Sequence, residues 1–95
     1  MARNVKIAVT DATGGTVAIA KDTNREEVII RNGGADRVYL AFNEDAVDDQ
    51  GIYLDSGDAI VLSSGNGQRW ARATADVYMV CATGETASVY ADITS

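Results

Sequence analysis

Two stretches of the chain carry side chains whose types and spacing could do chemistry or recognition. Between residues 44 and 58, six carboxylates fall within fifteen residues: Glu44, Asp45, Asp48, Asp49, Asp55 and Asp58. Hard cations such as calcium are held by carboxylate oxygens, so this is where one would be sought. However, Asp45-x-x-Asp48-Asp49-x-Gly51 lacks the alternating one, three, five spacing of an EF-hand loop. A solvated acidic loop is the plainer reading, and no metal is assigned. The second stretch is Arg69-Trp70-Ala71-Arg72. Tryptophan and arginine are the side chains most often found at the energetic centre of protein contacts, and a tryptophan ring can also serve as a platform for a sugar. The lone tryptophan equally suits the core of a small sheet protein, with arginines extending their stems over apolar surface to reach water.

Catalytic inventories are thin. The chain has no histidine, which removes the commonest general base near neutral pH and every histidine-assisted serine or cysteine nucleophile. One cysteine without histidine makes no ordinary zinc site, and no glycine-rich phosphate loop is present. A glycosidase-like carboxylate pair would need a sugar cleft, for which so short a chain leaves little room. Cys81 lies in the apolar stretch from Val77 to Ala82 and reads as a small core residue in a reducing compartment. No catalytic residue and no cofactor is assigned, and the chain is not expected to be an enzyme.

With 95 residues, the chain has the length of one domain, residues 1–95, and its 46% hydrophobic and 23% charged residues are ordinary globular composition. Eight basic against fourteen acidic residues give a net charge of -6. That balance argues against a nucleic-acid partner, which demands a basic face. Neither an apolar leader nor a run of about 20 apolar residues occurs, so synthesis in a cytosol and no membrane partner are expected. A domain this small, with no possible internal disulfide, lacks the usual staples of small proteins. A partner surface is the remaining one.

Elements that would position these residues follow from the pattern. Strand-sized apolar runs alternate with glycine, asparagine and aspartate clusters, and no stretch keeps helical spacing for three turns. Val5, Ile7 and Val9 share one face of a first strand. Thr13-Gly14-Gly15 then predicts a hairpin into a second strand at Val17 and Ile19. Residues 26–31 and 37–42 predict a third and fourth strand, joined as a hairpin by Asn32-Gly33-Gly34, with Val38, Leu40 and Phe42 inward. Residues 43–50 predict a surface loop, with room for one helical turn, closed by Gly51. Further strands are expected at 52–54, 59–62, 68–73 (centred on Trp70), 77–82 and 88–93. Val38-Tyr39, Val77-Tyr78 and Val89-Tyr90 each suggest an inward valine beside a tyrosine at a surface or interface. The fold class is therefore all-β: a small antiparallel β-sandwich or jelly-roll-like barrel of eight or nine short strands. No proline is available to blunt its edges.

The pattern Arg25-x-x-Val28-x-Ile30-x-Asn32-x-Gly34-x-x-x-Val38-Tyr39-Leu40-x-Phe42, followed by Gly51-Ile52-x-Leu54-x-x-Gly57, resembles small β-sandwich virion structural proteins of tailed bacteriophages, of the capsid-decoration (cement) or head-accessory kind. Trp70 and Val77-Tyr78 extend the likeness over residues 25–82. Asp36-Arg37 stands where an Asn-Pro turn would be expected. The resemblance implies a β-sandwich that oligomerises as a homotrimer and binds the outside of an assembled head, made in the host cytoplasm and located on the virion. Its expected partners are further copies of itself and the major capsid protein or another virion protein. Arg3 and Lys6, with Arg69, Trp70 and Arg72, are then the basic surfaces expected to face an acidic shell or a neighbouring acidic loop. The alternative is a tail or fibre accessory module that binds host-surface carbohydrate, with Tyr53 and Trp70 as stacking platforms.

Overall fold

A computed structural model describes residues 2–21, 26–63 and 76–94. Among them are eight strands and no helix: β1 (Ala2–Thr10), β2 (Val17–Ile19), β3 (Glu27–Asn32), β4 (Val38–Phe42), β5 (Ile52–Leu54), β6 (Ala59–Ser63), β7 (Val77–Val80) and β8 (Thr86–Thr94). The expected strand at 68–73, with Arg69, Trp70 and Arg72, lies outside the described residues, as does Arg25.

The strands form two four-stranded sheets in the orders β1-β8-β3-β6 and β2-β7-β4-β5, antiparallel throughout. The pairs are nested: β4 with β5, β3 with β6, β2 with β7 and β1 with β8. One long hairpin, folded at the β4–β5 connection, has been rolled up so that successive pairs fall in alternate sheets. The additional pairs β3–β8 and β4–β7 close each sheet. This is the topology of a jelly roll.

Two connections read as hairpins therefore need correction. β1 and β2 lie in different sheets, and so do β3 and β4. Sheets pack about 10 Å apart, so a short connection crosses from one sheet to the other as readily as it reverses within one. Glycines permit both. Among the described residues the one local hairpin is β4–β5, through the acidic segment 43–51, which contains no helical turn.

Period-two alternation builds the interior. In β8, Ala87, Val89, Ala91 and Ile93 are buried while Thr86, Tyr90 and Asp92 are exposed. Val9, Val28, Ile30, Val38, Leu40, Val77 and Met79 complete the core between the sheets, with Val5, Ile7, Phe42 and Ile60 half-buried around it.

A second, smaller cluster lies on the outer side of the β2-β7-β4-β5 sheet. Tyr39 and Val80, paired across β4 and β7, are buried there beneath Ala46. The Ala46 amide donates to the Gly14 carbonyl at 2.8 Å, and a Cβ on Gly14 would collide with the Ala46 carbonyl oxygen. The 43–51 segment is thus a cover pressed onto the sheet. Tyr39, expected at a surface, is buried for this reason. Tyr78 is half-buried, and Tyr90 alone of the three Val-Tyr pairs is openly exposed.

Candidate interaction surface

The outer side of the β1-β8-β3-β6 sheet carries an exposed mixture of apolar, aromatic and charged groups among the described residues. Strand register fixes its rows. Lys6 stands opposite Tyr90, Tyr90 opposite Arg31 and Arg31 opposite Ala59. The adjacent row runs Asn4, Asp92, Ile29, Val61. Tyr90 is 43% exposed and Val61 56%, while Ile29, between Asp92 and Val61 in the second row, is half-buried. The Tyr90 ring leans across the end of β3: a Cβ on Gly33 would stand 2.5 Å from its Cε2. Of these, tyrosine and arginine are residue types enriched at the centre of protein contacts.

Lys6 belongs to this face. Arg3, on the opposite parity of β1, pairs with buried Ile93 and lines the open mouth of the sandwich with Ala18 and Lys21. Tyr53 lies in the other sheet, on the edge strand β5, away from both. The structure therefore does not gather Arg3, Lys6 and Tyr53 into one site.

Tyr53 instead joins a compact arrangement with its neighbours. Its ring meets Tyr39 edge-on, with centroids 6.2 Å apart at 62°. The Arg37 guanidinium sits 4.1 Å from the Tyr53 ring centroid, and its Nε donates to Asp55 Oδ1 at 2.6 Å, with Nη2 3.4 Å from Oδ2. The Asp55 carboxylate, then the Tyr39 phenol, raise the Arg37 pKa above its ordinary value. One face of Tyr53 is thereby occupied by a cation, so a stacking ligand would have the other. A cleft of about 620 Å³ lies beside the acidic segment, lined by Phe42, Glu44, Asp45, Val47, Gln50 and Ile52 among others. Tyr53 does not line it.

Carboxylates across the molecule hold backbone amides. Asp11 accepts from Gly84, Asp36 from Thr86, Asp58 from Asp55 and Asp76 from Lys21. No three acidic or cysteine side chains converge as a metal site among the described residues. Glu85 is held above the ordinary carboxylate range by desolvation, with the nearby charges of Asp36 and Asp48 adding to it. Cys81 is buried, and desolvation pushes its thiol up to about 11.

Sequence reasoning missed Arg31, Ile29 and Val61 as surface candidates. Only the pairing of β3 with both β8 and β6 puts them beside Tyr90. The Val89-Tyr90 doublet was the available signal for Tyr90 itself. Asn32, read as a turn residue, is fully buried. Its Nδ2 donates to the carbonyls of Asp36 and Leu54 at 2.7 and 2.9 Å, and its Oδ1 accepts from Gly34 at 2.9 Å. No family model matches the chain, and no curated protein matches it.

Proposed function

We propose that this chain is a structural protein of a tailed-bacteriophage virion: a capsid decoration protein that oligomerises, as a trimer, and binds the outer surface of the head to stabilise it. The likeness of residues 25–82 to such proteins supports the virion setting. The observation that carries the reading is the outer face of the β1-β8-β3-β6 sheet, where Lys6, Tyr90 and Arg31 form one row and Ile29 and Val61 lie in the next. Jelly rolls serve in viral shells and in lectins alike, so the fold does not choose between adhesion to a head and adhesion to a glycan. The face favours a protein surface, because aromatic, aliphatic and cationic groups lie flat across four strands.

Dimensions bear on the oligomer. Four strands about 4.8 Å apart and six residues at about 3.3 Å each give a flat area of roughly 400 Å². A standard interface takes about 800 Å² from each partner. One such face alone makes a small contact, and three linked copies would bind a head far more tightly than one.

Binding to undecorated heads of the phage that encodes the chain tests this. Saturation at a fixed number of copies per capsid subunit is expected, with loss on Val61→Asp, a change on a strongly exposed side chain. Hits on a glycan array without head binding would replace this reading with the carbohydrate-binding tail module.

A further inference from the structure

The geometry points to β1 as an acceptor edge: an extended segment of a partner protein, alternating apolar and acidic residues, adds to β1 as a further strand and fills the mouth between β1 and β2. This deepens the head-binding reading and rests on it for the identity of the donor, though not for the chemistry of the edge.

Of the described strands, four lie at sheet edges: β1, β6, β2 and β5. Proteins blunt such edges by shortness, bulges, proline or charge, since unpaired backbone groups invite another strand. β2 and β5 have three residues each, and the register of β2 shifts between Val17 and Ile19. β6 has five residues. β1 has nine, pairs with β8 without interruption from Ala2 to Thr10, and contains no proline. Its alternate amides and carbonyls point away from β8, and no described strand takes them up. It is the one long, regular edge among the described strands.

What lies beside that edge specifies the incoming side chains. Val5 and Ile7, on the inward parity of β1, are only half-buried, because the two sheets part here around a groove of about 290 Å³. Val5, Ile7, Val17, Ala18 and Met79 line it. Alternate residues of an added strand would enter this groove and would have to be apolar. The others would lie on the outer face next to Lys6. β1 carries Arg3 and Lys6 and no acid, and Lys21 lines the groove's continuation with Arg3. Of the described acids near the edge, Asp11 and Asp76 hold the Gly84 and Lys21 amides, and Asp92 is one strand inward, opposite Asn4. Acidic residues are therefore favoured at the outward positions beside Lys6 and at the end of the incoming strand that meets Arg3 and Lys21. A second copy of β1 added antiparallel about Lys6 would set the two Lys6 ammonium groups opposite one another on the outer face, which disfavours it. Strand addition of this kind draws affinity from main-chain hydrogen bonds and specificity from alternate side chains.

The test uses the isotopically labelled full chain and a short capped peptide alternating valine and glutamate, followed by NMR. Saturable shifts confined to β1 and β2 are expected, with slowed exchange of alternate β1 amides. Lys6→Glu should weaken binding about tenfold and confer binding of the matching valine–lysine peptide, with Lys6→Gln intermediate. Absence of saturable shifts, shifts elsewhere, equal binding of the valine–lysine peptide by the unaltered chain, or β1 amides already protected in a dimer of the free protein would each overturn the proposal. Head binding without peptide binding, unchanged by Lys6→Glu, removes the acceptor edge and keeps the decoration reading. Peptide binding without head binding does the reverse.

Discussion

The side-chain amide of Asn32 reaches 2.9 Å to the carbonyl of Leu54, tying β3 of one sheet to β5 of the other. The Asn32 backbone completes the bond set, its amide donating to Asp58 and its carbonyl accepting from Gly57 in the β5–β6 turn. A single buried polar residue thus closes one side of the sandwich.

Replacing Asn32 by leucine removes the partner of the Leu54 and Asp36 carbonyls and of the Gly34 amide. Each stranded buried group costs about 1–3 kcal/mol, and two of the three are only partly buried, so a loss of about 3 kcal/mol is expected. Urea denaturation measures it. A loss under about 1 kcal/mol would mean that water takes over these bonds.

Gly14→Ala should loosen the 43–51 cover, because the new methyl group occupies the position of the Ala46 carbonyl oxygen. Overpacking of this kind costs about 1–3 kcal/mol. Hydrogen exchange at the Ala46 amide should quicken and the Tyr39 environment should change in near-ultraviolet circular dichroism. Unchanged exchange would show that the cover is held by other contacts.

Cys81 should resist thiol reagents at pH 8 until the chain unfolds, since burial raises its pKa from 9.0 to about 11 and little thiolate forms. The unfolded chain loses this proton first as pH rises, so stability falls between pH 9 and 11. Cys81→Ala should remove that part of the alkaline loss. Rapid labelling of the native protein would contradict the burial.

Glu85 has its pKa raised above 4.5 in the folded chain, so the folded state holds this proton more tightly than the unfolded state does. Its unfavourable contribution is absent below pH 4.5 and sets in as pH rises through the folded value. Glu85→Gln should therefore raise the melting temperature at pH 7, with the gain vanishing toward pH 4. A gain independent of pH would point to a cause other than desolvation and the charges of Asp36 and Asp48.

How much of this could be read from the chain depends on whether a feature is local. Strand positions were legible, because Val5, Ile7 and Val9, or Val38 and Leu40, alternate within a few residues. Sheet membership was not. Asn32-Gly33-Gly34 looks the same whether the chain reverses or crosses, and its crossing is decided by Asn32 bonding to Leu54, twenty-two residues on. Burial of Tyr39 depends on Ala46 meeting Gly14, contacts that no periodicity announces. Of the surface residues, Lys6 was found from its charge, whereas its row with Tyr90 and Arg31 exists only once the last strand lies between the first and the third.

That arrangement has a consequence for biosynthesis. Among the described strands the sheet neighbour of β1 is β8, which is synthesised after all the others, so β1 leaves the ribosome well before the strand it pairs with. The nascent strands can zip outward from β4 against β5 and then β3 against β6, while β1 still lacks β8. Ribosome-stalled chains ending before Thr86 should hence be open to protease at Val5 and Ile7 even where their central strands are already protected.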